Sequence, residues 1–130
     1  MRYLVLFIFL LLGACDNSST KRYVNKITTQ AISPDGQFVA VVFVRDSGAI
    51  GCNRKHVSIL PKDTILTNSM TGNVFMIREV AVTVAWQGSD QLVIAYPVNT
   101  YIYKQTNKYY TGNILIAPRV IAISSQGIKH

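Results

Sequence analysis

Cys52 and His56 stand four residues apart in GCNRKH, with Arg54 and Lys55 between them. A thiol and an imidazole are the minimum for thiol nucleophilic catalysis. The ring takes the proton, the thiolate attacks, and a third group must orient the base within hydrogen-bond reach. Neighbouring cations of this kind lower a thiol pKa and raise the thiolate fraction. No surrounding motif supplies the third group, so an incidental loop cysteine stands beside the reading of Cys52 as a reactive thiol. The other cysteine, Cys15, closes the apolar run LLGAC and is followed at once by DNSST. It is a core residue, half of a disulfide, or a covalent handle. If it is a handle, Cys52 has no intramolecular partner in an oxidising compartment. It is then a buried inert thiol, an intermolecular disulfide or a reactive site.

The remaining titratable groups form no complete constellation. Asp16, Asp35, Asp46, Asp63, Glu79 and Asp90 fall mostly in turn-forming stretches, where making the turn explains them. His56 and His130 give neither a helix-borne metal pair nor a Cys/His ligand framework. There is no phosphate-cradling Gly-rich loop and no nucleophile elbow. The expectation is a protein that is not an enzyme and that uses no metal and no cofactor.

A second kind of chemistry lies in YIYKQTNKYY, where Tyr101, Tyr103, Tyr109 and Tyr110 alternate with Lys104 and Lys108 around one predicted hairpin. Tyrosine offers large contact area at low entropic cost, and cations and amides add adaptable polar contacts. Such a surface could hold a protein edge, a glycan strand or a headgroup layer. Ordinary cross-strand pairing of aromatic residues accounts for it equally simply.

These residues must be carried by something, and composition says what kind of chain it is. Of 130 residues, 49% are hydrophobic and 15% charged, which excludes a disordered chain and allows one domain. Thirteen Lys and Arg against six acids give a net charge of +7. A cytosolic protein of that charge would prompt a search for nucleic acid. The N-terminus points elsewhere. Arg2 precedes an unbroken apolar stretch from Leu4 to Leu12, and Gly13 and Ala14 lead to Cys15. A charged start, a short apolar segment and small residues make a secretory signal, about half the length of the roughly 20 residues that span a bilayer.

Leu12-Gly13-Ala14-Cys15 resembles the lipobox of bacterial lipoproteins. The resemblance implies a diacylglyceryl group on the Cys15 thiol and cleavage just before it, so that residues 1–14 are signal peptide, 15–20 a lipidated cysteine with a polar tether, and 21–130 a single β domain. At least two acyl chains are needed for a lasting anchor, and a mature lipoprotein carries that many. Asp16 directly after the cysteine resembles the retention signal of enteric bacteria and favours the inner membrane. Loss of Arg2 with the signal lowers the net charge from +7 to +6. Lys21, Arg22 and Lys26 follow the tether, where anionic headgroups reward each cation by about 1 kcal/mol. They read equally well as solvated charges on a first strand. An exported domain with dispersed cations is not expected to meet nucleic acid.

From residue 21 onward the chain is a series of short runs rich in Val, Ile, Thr and aromatics: KRYVNKITTQAI, QFVAVVFVR, KHVSILP, NVFMIRE, VAVTVAWQ, QLVIAYPV, TYIYK, YYTGNILIAP and VIAIS. Turn signals SPDGQ, DSG, MTGN, QGSD and QTNK separate them. Close, even spacing predicts an all-β fold, a small antiparallel sandwich or partly open barrel built as a meander. Phe38 to Val44 is apolar on both alternating sets, which predicts a strand covered on both faces.

ISPDGQFVAVVF and AWQGSDQLVIAY resemble blade segments of WD40-like periplasmic β-propellers. At about 40 residues per blade the chain is too short for a propeller, so two similar hairpins in one small domain are expected. SPDGQFVAVVFVRDSGAI, with HVSIL, GNVF and VAWQGSDQLVIAY, also resembles a group of small bacterial β-proteins of unassigned activity. In that group an Arg-Asp pair is followed by Cys-Gly-Ala-Thr; here Ser47 stands at the cysteine's place and Cys52 lies downstream. The resemblance implies a fold and no chemistry. Three function classes follow: a membrane-anchored binding or accessory lipoprotein recognising an envelope protein or cell-wall component, a thiol-dependent enzyme using Cys52 and His56, and an inhibitor or exclusion lipoprotein encoded by a mobile element.

Overall fold

A computed structural model describes residues 23–46, 53–111 and 119–129. Cys15 with its lipobox, Asp16, the tether and Cys52 lie outside the described residues. Nine strands run in chain order: β1 (Val24–Ile32), β2 (Phe38–Asp46), β3 (Arg54–Pro61), β4 (Phe75–Arg78), β5 (Thr83–Trp86), β6 (Gln91–Pro97), β7 (Ile102–Gln105), β8 (Lys108–Thr111) and β9 (Arg119–Ile128). No helix occurs among the described residues. The protein is all-β, as its period-two patterning dictates.

The strands form two sheets, β1-β2-β3-β4-β7 and β5-β6-β9-β8, not closed into a barrel. Sheet A, the five-stranded one, is antiparallel throughout. Sheet B departs from the predicted meander: β9 slots between β6 and β8, antiparallel to β8 but parallel to β6. The reason is that β7 pairs with β4 in sheet A, which leaves the place beside β6 to β9, flanked on its other side by β8. Between the sheets lies one core of Ala40, Val42, Val57, Ile59, Phe75, Ile77, Leu92, Ile94 and Ile121, all fully buried. Trp86 packs against this core and donates its indole N–H to the Ala31 carbonyl at 2.8 Å, tying β5 to β1. Burial with the one polar group satisfied is what a tryptophan at a sheet junction requires.

β2 is covered on both faces, as its double apolar pattern predicts. Ala40 and Val42 face the main core, while Val41, Phe43 and Leu60 make a second cluster on the outer face of sheet A. Cover comes from the connection between β3 and β4, residues 62–74, whose Leu66 packs on that cluster. Asn73 replaces a strand neighbour for β3: its Oδ1 accepts from Ile59 N–H and its Nδ2 donates to Ile59 O, both at 2.8 Å. Asn25 Nδ2 donates to the carbonyls of Thr67 and Met70, and Arg45 donates to those of Asn68 and Met70. The connection is thus a strap whose exposed backbone is held by side chains.

The two hairpins that resemble one another also meet. In the first, Ser33 Oγ donates to Asp35 Oδ1 at 2.6 Å, and Gly36 takes φ 71°, a left-handed conformation open to glycine. In the second, Gly88 takes φ 106°. Asp35 N–H donates to Ser89 Oγ, joining the two tips. Arg119 then bridges them, pairing with Asp35 at 2.6 Å and Asp90 at 2.5 Å and donating to the Ser89 carbonyl. The Ser33 hydroxyl, the Gln37 N–H and Arg119 hold the Asp35 carboxyl down to about 2. Arg119, hydrogen-bonded first to Asp90 and then to Asp35, is raised above its usual value.

Candidate functional site

The predicted Tyr/Lys hairpin is not a hairpin. β7 pairs with β4 in sheet A, while β8 pairs with β9 in sheet B, so residues 101–105 and 108–111 belong to different sheets. The turn signal QTNK is a crossing between layers: Thr106 N–H donates to Val74 O on one side, and Ile123 N–H to Asn107 O on the other. A polar two-residue link that feeds both sheets prevents the strands it joins from pairing with each other. Gln105 and Ser125 are hydrogen-bonded across this corner, beside a cavity of about 500 Å³ lined by Gln105, Thr106, Asn107, Ile123 and Ser125.

The split divides the six residues. Tyr109 turns inward against the main core, and burial raises its pKa. Tyr110 is 64% exposed on sheet B opposite Val120, and Lys108 is exposed one strand position from the crossing. Tyr101, 63% exposed, and Tyr103, 41% exposed, meet edge to face on sheet A with ring centroids 4.9 Å apart. A register shift between Met76 and Ile77 leaves Tyr103 without a direct partner on β4, a bulge that re-aims the side chain. Lys104 reaches back to the Gly72 carbonyl of the strap at 3.3 Å.

Sequence reasoning missed the neighbours of Tyr103. Arg54 lies over the Tyr103 ring, 3.8 Å from its centroid, and extends toward Met76 Sδ. In the register of sheet A, Arg45 stands opposite Arg54, and Arg54 opposite Arg78. Three guanidinium side chains therefore start from one row across β2, β3 and β4. Tyr23, the first described residue, lies under Arg45 at 4.2 Å. Only pairing register brings the three together, and no local motif announces it.

His56 sits just inside this row, 2% exposed and stacked on Phe43 with centroids 5.2 Å apart. Its Nδ1 accepts the Gly72 N–H at 2.8 Å, which places the ring proton on Nε2. Burial first, then the charges of Arg45, Arg54 and Lys104, push its pKa down to about 4. The imidazole is neutral at pH 7 and employed in holding the strap. Its place in the thiol reading rested on Cys52, which lies outside the described residues.

Comparison with protein-family models, with curated proteins and with solved structures finds no match for this chain.

Proposed function

We propose that the protein is a lipoprotein anchored through Cys15 in a bacterial envelope membrane, with a small β domain that binds an envelope protein or cell-wall component. The anchor reading rests on the lipobox-like Leu12-Gly13-Ala14-Cys15, and Asp16 favours the inner membrane. The observation that carries the binding reading is the aromatic corner. Tyr101, Tyr103 and Tyr110 leave much of their rings in solvent on strands that also carry Lys104 and Lys108 or face Arg54. Exposed tyrosines among cations are the composition of contact surfaces. Tyr103 belongs to sheet A and Tyr110 to sheet B, so the exposed rings are divided between two sheets.

Intact-mass analysis of the protein from its own cells tests the anchor: a chain beginning at Cys15 with added lipid is expected, and one beginning at Met1 or without lipid overturns it. Crosslinking in the same cells tests the binding. Tyr101→Ala with Tyr110→Ala is expected to abolish the adduct with an envelope protein or cell-wall fragment while leaving the thermal midpoint in place. An undiminished adduct rejects the corner as the contact.

A further inference from the structure

The row Arg45, Arg54 and Arg78 is an expensive arrangement for a sheet. Residues directly opposite on antiparallel strands bring their Cβ atoms to about 4.5–5.5 Å, and like charges so placed repel. The two ion pairs given between described residues both belong to Arg119, at the hairpin tips, and Arg54 and Arg78 are exposed. Lys104 adds a fourth cation opposite Met76 on the next strand. The field is felt inside the protein, since Arg45, Arg54 and Lys104 all act to keep His56 uncharged. Arg54 is also held in place, between the Tyr103 ring and Met76. A row of like charges that is partly pre-arranged offers charge-assisted contacts to an anion.

We infer that the outer end of sheet A, formed by Arg45, Arg54, Arg78 and Lys104 with Tyr101 and Tyr103, docks on the anionic phospholipid headgroups of a bilayer. Charge complementarity gives the class of occupant. The course of the chain selects the lipid surface, and here the inference rests on the proposed anchor. Tyr23 packs on Arg45, and eight positions separate it from Cys15. Eight residues reach at most about 29 Å when extended. A lipid on Cys15 would therefore keep this row close to the headgroup layer. Guanidinium groups pair bidentately with phosphate, and tyrosine settles at the headgroup level with its ring toward the acyl chains. Tyr110 and Lys108, on the other sheet, lie outside this face.

The test uses the full-length chain made by cell-free translation, which carries no lipid, so its outcome does not depend on acylation. Flotation is measured with phosphatidylcholine vesicles with and without phosphatidylglycerol, at low and high salt. Phosphatidylglycerol is expected to raise binding at low salt only, and Arg54→Ser with Arg78→Ser is expected to cut that gain by on the order of tenfold. Arg54→Lys with Arg78→Lys should keep most of it, which separates lost charge from lost fold. Binding that is equal with and without phosphatidylglycerol overturns the inference. So does a gain that survives the double serine variant, or one that disappears only on Lys21→Ser with Arg22→Ser. If the gain behaves as expected while the cellular protein still begins at Met1, the face stands and the anchor falls.

Discussion

The outer faces of the two sheets meet different demands. On sheet B, Thr83, Ala85 and Ala122 face solvent. Small and polar residues need no cover, and none is provided among the described residues. On sheet A, Val41, Phe43, His56 and Leu60 are buried on the outer face, and residues 62–74 are spent on closing it. The closure ends at Arg45, whose guanidinium is fastened to the Asn68 and Met70 carbonyls, and Arg54 and Arg78 lie exposed beyond it. One sheet thus has an exterior left open, with Tyr110 and Val120 exposed on it, and the other has an exterior half sealed and half open. The sealed half is explained by stability. The open half, where Arg54 and Arg78 stand directly opposite one another, is where a role in binding is to be sought.

Perturbations should separate the two halves. Phe43→Ala empties the sealed half and is expected to cost about 3–5 kcal/mol, as a buried aromatic does, read by denaturant unfolding. Acid should act next. His56 is held neutral with its pKa near 4, against 6.5 unfolded. The unfolded chain then binds the extra proton between those values. Stability should be flat above pH 6.5 and fall by up to about 1.4 kcal/mol per pH unit down to pH 4. His56→Gln should remove that slope, and a slope that persists would assign it to other groups.

Smaller effects follow at the strap's fastenings. Asn73→Ala leaves the Ile59 N–H and carbonyl unpaired and should cost about 1–3 kcal/mol. Gly72→Ala should be of similar size, because a Cβ there would lie 2.6 Å from the Phe75 carbonyl oxygen and 3.0 Å from His56 Cβ. In the open half the sign should reverse. Arg54→Ser relieves repulsion on both sides and should leave stability unchanged or raise it by up to about 1 kcal/mol. On sheet B, Ala85→Lys should stay within about 0.5 kcal/mol of the parent.

Much of the fold was legible in the sequence. Each of the nine apolar runs contributes a strand among the described residues, and SPDGQ and QGSD turn where the Gly and Asp residues said they would. The double-faced pattern of Phe38 to Val44 correctly announced cover on both sides. What pattern cannot give is partnership. QTNK has the composition of a hairpin turn, and only the competition of β4 and β9 for its flanking strands makes it a crossing between sheets. The parallel β6–β9 pair likewise joins strands distant in the chain, which no local pattern specifies. The strap was hidden because residues 62–74 lack periodicity and act through Asn73, Gly72 and their backbone. The arginine row is dispersed over more than thirty positions, from 45 to 78, and becomes a site only through register.

The central claim is that the open end of sheet A is maintained for binding at the expense of folding. Measuring the unfolding midpoint and the phosphatidylglycerol-dependent flotation of Arg54→Ser/Arg78→Ser on one preparation tests it most directly. The account predicts a midpoint that holds or rises while the phosphatidylglycerol-dependent binding collapses. A midpoint that drops while that binding is retained would make the row a structural element and contradict it.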